Sequence, residues 1–288
     1  MDAGCLLPVH EESRQTRLGR GFYDTHILLP EAIAQTAQAV SQFADVARSH
    51  LASTIRVIAT SAAREAVNRE QLLQQIEGAC GLSVEVISGE EEAELVFRGV
   101  ATDEKLREKK LLILDVGGGS TEFIVGESGH HTFCQSFGVG TVRLLEKLRP
   151  SDPPLAADLH ACRSQLRQLF AEKIGPVLYP VMGDRNNVTL VGTGGTTTIL
   201  ARMEKQLLNF ARDEIEGTLI SFSGVRHWME RLWVASIEDR KRIAGIPANR
   251  ADIIPMGVAI YEVVMESLNL PSLFVSTRGL RFGALMGS

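Results

Sequence analysis

Cysteine is scarce in this chain and poorly spaced for chemistry. Cys5, Cys80, Cys134 and Cys162 stand far apart. No C-x-x-C occurs, so neither a zinc knuckle nor a thioredoxin-type pair is signalled. The expectation is four reduced, mostly buried thiols. Long apolar runs are missing too: stretches such as 111–114 fall far short of the ~20 residues that cross a bilayer. A basic-then-apolar leader is absent from the N-terminus. The reading is a soluble, cytoplasmic protein with no membrane partner. A basic field is also lacking, because 30 lysines and arginines against 35 acids leave a net charge of −5. Such a surface does not hold DNA or RNA non-specifically, so no nucleic acid partner is expected. A polyanionic ligand would have to be held by local features. Low-complexity tracts and short repeats are not found.

The 288 residues, 44% hydrophobic and 23% charged, suit one large domain or two lobes of moderate size. A helix is expected over 30–51, where Ile33, Ala37, Val40, Ala44, Ala47 and Leu51 recur every three or four positions behind Pro30. Residues 55–60 read as a strand, with Ser61 capping the next helix, which carries Arg64 and Glu65. Another strand follows at 84–88, then a helix over 90–100. The charged stretch 103–110 reads as a solvated connection, which sets the expected lobes at 1–108 and 109–288. Beyond it come strands at 111–116, 121–126 and 131–137 and helices over 141–148 and 155–178. A strand at 188–191 leads through glycines into another helix. Helices over 223–235 and 252–268, a strand at 273–276 and a helix over 279–286 complete the pattern. This alternation indicates an α/β fold with helices flanking the sheets.

The most informative stretch is Leu-Asp-Val-Gly-Gly-Gly-Ser-Thr-Glu at 114–122. Gly117, Gly118 and Gly119 between two apolar strands allow a ligand close to the backbone, and a nest of amides suits phosphate oxygens. Ser120 and Thr121 would add hydroxyl donors. With 117–120 as the loop, Val116 faces Thr121 and Asp115 faces Glu122. Directly opposed side chains lie about 5 Å apart, and like charges there repel. A divalent ion bridging to phosphate is the economical remedy, since Mg²⁺ prefers few carboxylates together with water and phosphate oxygens.

A second loop, Gly192-Thr193-Gly194-Gly195-Thr196, follows a strand and opens a helix, a setting that binds anions. It lacks the lysine of a Walker loop and the third glycine of a dinucleotide fingerprint. Gly138–Arg143 forms a third strand-to-helix turn, equally readable as an ordinary helix start. Glu90, Glu91 and Glu92 open a helix, where acids favour the dipole; spacing does not choose among them. Arg64 suits either a phosphate clamp or an ion pair with Glu65 or Glu70. His130 and His131 fall in a turn without a ligand-spaced partner. Trp228, Met229 and Trp233 are spaced like helix core.

Together these residues resemble the exopolyphosphatase/guanosine pentaphosphate phosphohydrolase (Ppx/GppA) family of the actin-like ATPase superfold. The resemblance runs through 16–21, 59–65, 87–93, 115–122, 192–196, 250–255 and 275–281. It implies a two-lobed, actin-like (ribonuclease H-like) α/β fold with mixed sheets and a cleft, and a last helix packing back on the first lobe. It implies Mg²⁺-dependent release of orthophosphate from inorganic polyphosphate or guanosine pentaphosphate, in a stringent-response setting. By family position, Glu92 resembles the catalytic base, and Asp115 and Glu122 the metal-site acids. Gly117–Thr121 and Gly192–Thr196 resemble phosphate loops, and Arg64 a phosphate contact.

The family's chains begin with a strand and a loop of the type Asp-x-Gly-Ser/Thr-Asn-Ser, which occurs nowhere in these residues. Residues 1–4 align with a later turn, so roughly 20 residues, two strands and a turn, are expected to be missing. That expectation leaves two accounts: a misplaced start, or a short, weakened relative. The exposed sheet edge so created would allow a homodimer. Two rivals follow: a non-catalytic sensor of polyphosphate or guanosine tetraphosphate, and an ATP-dependent kinase or chaperone-like ATPase of the same superfold.

Overall fold

The computed structural model describes residues 6–184 and 187–286; Cys5, expected to be a buried thiol, lies outside them. The chain forms two compact units, Met1–Glu92 and Ala93–Ser288. The first contains α1 (Pro30–Ser49), β1 (Val57–Ala59), α2 (Ser61–Glu65), α3 (Arg69–Cys80) and β2 (Val84–Val86), and α4 (Gly89–Val100) begins in it. Pro30 lies in the first turn of α1, where its missing amide costs nothing. Ile33, Ala37 and Ala44 bury the apolar face of α1 with Leu72 and Ile76 of α3. β1 and β2 pair in parallel, Val57 beside Val84.

One cap differs from expectation. Thr60 holds the N-cap position of α2, and Ser61 lies inside the helix, where its hydroxyl donates to Glu65 Oε1 at 2.8 Å. The helix then stops, because Asn68 pairs with both backbone groups of Leu28, at 2.8 and 3.0 Å. An amide side chain that satisfies a distant segment competes with helix continuation.

The second unit contains β3 (Lys110–Val116), β4 (Thr121–Glu127), β5 (His130–Phe137), α5 (Thr141–Leu148) and α6 (Ala156–Leu169). A single π-type turn, Phe170–Ile174, leads from α6 into α7 (Gly175–Met182). There follow β6 (Val188–Thr193), α8 (Gly194–Glu204), α9 (Arg212–Ile215), β7 (Leu219–Ser221), α10 (Phe222–Val234), α11 (Ile237–Arg240), α12 (Ile254–Leu268), β8 (Ser272–Val275) and α13 (Leu280–Leu285). Among the described residues its strands form one mixed sheet in the order β5-β4-β3-β6-β8-β7. β3, β6 and β8 run parallel, while β4, β5 and β7 pair antiparallel.

β3 is apolar over 111–114 because both its faces are covered there. Leu112, Leu114 and Val116 pack in the large core with α12, α6 and α10. Leu111 and Ile113 point the other way, into a cluster with Ala93, Val96, Phe97 and Val100 of α4. Leu106 is fully buried in that cluster. The units therefore divide within α4 rather than in the charged stretch 103–110. His130 and His131 open β5; the turn is Ser128-Gly129, both at positive φ. Among the described residues no helix is long and apolar enough to cross a membrane.

Candidate functional site

The β3–β4 hairpin has the register that its glycines imply. Asp115 lies opposite Glu122 and Val116 opposite Thr121, and the Gly117 amide closes the loop on Ser120 O at 3.0 Å. The two acids share the sheet face of Leu111 and Ile113. Glu122 is 1% exposed and accepts the Ser136 hydroxyl at 2.7 Å. Burial, and then the Glu122 charge, push the Asp115 carboxyl up to about 7. Charge is thus expensive at Asp115 until something neutralises it.

The first loop is braced from behind. The amides of Thr141 and Val142, which open α5, donate to Gly117 O and Gly118 O at 2.9 and 2.8 Å. Arg143 adds its own amide to Gly118 O at 3.1 Å and its Nε to Gly119 O at 2.7 Å. The three loop carbonyls therefore turn toward α5. In a trans peptide the N–H points away from the C=O, so the amides of Gly118, Gly119 and Ser120 face the opposite side. This brace passes so close that a Cβ at Gly140 would come within 2.5 Å of Gly118. The turn 138–143 is thus the first loop's support.

Thr121 behaves differently from expectation. It is wholly buried and its hydroxyl donates to Val139 O at 2.6 Å. That donor ties the loop to the segment before α5 and is already spent.

The second loop leaves the adjoining strand at the same end. β6 runs parallel to β3 with Thr193 beside Asp115, and α8 starts at Gly194. First-turn amides of a helix have no intrahelical partner and favour anions. Gly194 has φ +82°, and a Cβ there would overlap Asp115 Oδ1. Only glycine lets the loop backbone lie against that carboxylate. Thr196 is buried, and its hydroxyl donates to Val116 O at 3.3 Å. The Arg250 guanidinium lies over the loop, with Nη2 at 3.7 Å from where a Gly195 Cβ would be. The motif at 250–255 signalled Arg250 without revealing what it faces.

Arg64 and Glu92 meet in the first unit. Arg64 Nη1 donates to Glu92 Oε2 at 3.2 Å and to Ile87 O at 2.8 Å. The alternative partners are engaged elsewhere, Glu65 by Ser61 and Glu70 by Arg69. The geometry also separates the three helix-start glutamates. Ser88 and Glu91 form a reciprocal capping box, with Ser88 N to Glu91 Oε2 at 2.8 Å and Glu91 N to Ser88 Oγ at 3.1 Å. Glu90 is exposed, whereas Glu92 is only 8% exposed.

Among the described residues no group of three or more His, Cys, Asp or Glu could hold a metal. The opposed pair Asp115 and Glu122 offers two carboxylates beside two amide-rich loops. That donor set fits a hard cation that completes its shell with water and phosphate.

A sequence model of the Ppx/GppA phosphatase family matches residues 1–288. Exopolyphosphatase 2 of Mycobacterium tuberculosis is 34% identical over 272 residues, covering 92% of this chain and 83% of that protein. A guanosine-5'-triphosphate,3'-diphosphate pyrophosphatase of Aeromonas salmonicida is 29% identical over 285 residues, or 99% of this chain. This chain spans 55% of the length of that second relative. Among solved structures, an exopolyphosphatase from Cytophaga hutchinsonii superposes with a TM-score of 0.83 at 28% identity, covering 94% of this chain and 88% of the other. The Ppx/GppA protein of Aquifex aeolicus gives a TM-score of 0.77 at 28% identity, covering 95% and 86%. These matches, with the mixed sheet between helices, show the actin-like ATPase fold that the resemblance implied. The chain belongs to the Ppx/GppA phosphatase family.

Proposed function

We propose that this chain is an exopolyphosphatase: water attacks the terminal phosphorus of inorganic polyphosphate, the bridging P–O bond breaks, and orthophosphate leaves with the shortened chain. The 5'-terminal phosphoanhydride of guanosine pentaphosphate is the same kind of bond and the second substrate of this reading. The observation that carries it is the pair of glycine loops at the ends of adjoining parallel strands, with Asp115 and Glu122 opposed between them. The amides of Gly118, Gly119 and Ser120 and the first turn of α8 grip phosphate oxygens, and Arg250 adds a cation over the second loop. Asp115 and Glu122 hold Mg²⁺, which when bound offsets the charge of the transferring phosphoryl group. Glu92, oriented by Arg64, takes a proton from the attacking water. Cys80, Cys134 and Cys162 form no disulfide among the described residues, which suits a reducing cytoplasm. Likeness to relatives named for hydrolysis favours an enzyme over a non-catalytic sensor.

Glu92→Gln tests the assignment. Polyphosphate binding measured by calorimetry should persist, while orthophosphate release falls about 10²–10⁴-fold. Unchanged turnover would remove Glu92 from the mechanism.

A further inference from the structure

Behind both glycine loops lies one helix, α12, which the reaction itself does not use. Its first half carries Gly257 and Tyr261, four residues apart and so on one face. A Cβ at Gly257 would overlap the Thr196 methyl of the second loop and come within 3.1 Å of Thr141, which braces the first. One turn further on, the fully buried Tyr261 places its hydroxyl between the two loops. It lies within donating distance, 3.2 Å, of Leu114 O, the carbonyl just before Asp115. It lies 2.6 Å from Thr197 Oγ1, and Thr197 Oγ1 in turn lies 2.9 Å from Thr193 O, its other acceptor.

Proton counting sharpens this arrangement. Tyr261 and Thr197 each bring one hydroxyl proton, and together they face three contacts. Two oxygens at 2.6 Å need a proton between them, so one is committed to the Tyr261–Thr197 contact. The other goes either to Leu114 O or to Thr193 O. Burial raises the Tyr261 hydroxyl above the ordinary tyrosine value, so its proton stays in place. The hydroxyl pair thus bonds to one loop's strand or the other's, and rotating both hydroxyls together exchanges the two arrangements.

We infer that Tyr261 is a positioning residue: through the hydrogen bond it shares with Thr197, it fixes the end of β3 that carries Asp115 against the start of α8 that carries the second glycine loop. Its importance for catalysis rests on the reading of these loops as the phosphate site; its mechanical role does not.

The test compares the 288-residue chain with Tyr261→Phe, Thr197→Val and the double variant, using hydrogen exchange read by mass spectrometry. In Tyr261→Phe, peptides covering 114–121 and 192–198 should exchange about 10-fold faster, while peptides of α6 change less than about twofold. The double variant should exchange no faster at the loops than the quicker single variant, because both substitutions break one shared contact. With Mg²⁺ and polyphosphate, kcat should fall about 10-fold with KM within about twofold. Faster exchange spread evenly over the second unit, no change at the loops, or additive effects in the double variant would overturn the inference. If the unaltered chain releases no orthophosphate, the proposed function fails, and the exchange comparison still decides the role of Tyr261.

Discussion

The first glycine loop sits in a hairpin between antiparallel strands, whereas the second joins a parallel strand to the helix it opens. The second therefore carries its own source of free amides, the first turn of α8. The first has no helix of its own and borrows one: the start of α5 takes up its carbonyls through Thr141, Val142 and Arg143. Two loops of similar composition thus depend on different parts of the chain. The second depends on a left-handed glycine against Asp115. The first depends on a close backbone approach at Gly140, some twenty residues along the chain.

Substitutions can break this comparison from either side. Gly194→Ala should have the largest effect. It forces an alanine to φ +82° and drives its Cβ into Asp115 Oδ1. A displacement of the loop by about 1 Å is expected to lower kcat/KM for polyphosphate about 100-fold. Turnover near that of the parent would show that the second loop tolerates displacement. Gly140→Ala should act on the first loop alone, lowering stability by about 1–3 kcal/mol through overpacking against Gly118. Denaturant melting measures that loss, and an unchanged midpoint would show that α5 is not a rigid brace. Thr121→Val should cost about 1 kcal/mol by removing the hydroxyl bond to Val139 O, detectable in the same melts. An effect expressed as weaker phosphate binding without a stability loss would return Thr121 to the ligand side of the loop.

A separate effect is a pH dependence. Asp115 titrates at about 7 in the folded chain against 3.8 for an ordinary aspartate. The folded state therefore favours the protonated form. Its contribution is fully present below the unfolded value and is lost as pH rises through about 7. Without metal, the free energy of unfolding should fall between about pH 4 and about pH 7 more steeply in the parent than in Asp115→Asn, a difference of roughly 4 kcal/mol at about 1.4 kcal/mol per pH unit. Parallel curves for the two proteins would contradict the upward shift at Asp115.

Much of this was legible in the chain because the loops announce themselves. Three glycines between apolar runs predict the β3–β4 hairpin and place Asp115 opposite Glu122. The apolar run at 111–114 marks a strand covered on both faces. Short elements were not legible: β7 has three residues and depends on pairing with β8, and α9 and α11 are single turns. The split between α2 and α3 depends on Asn68 meeting Leu28, forty positions away, which no local pattern encodes. Spacing does not separate Glu92 from Glu90 and Glu91; the family resemblance singles it out, and the cap between Ser88 and Glu91 gives Glu91 a different task. Arg250 and Tyr261 lie far along the chain from the loops they serve, so spacing carried no signal for either.

The most direct test of the central claim is a crystal structure of the chain with Mg²⁺ and a short inorganic polyphosphate. The account predicts a cation on Asp115 and Glu122, and phosphate oxygens about 3 Å from the amides of Gly118–Ser120 and of the first turn of α8. Phosphate bound elsewhere, with both loops empty and no cation on the two acids, would contradict it.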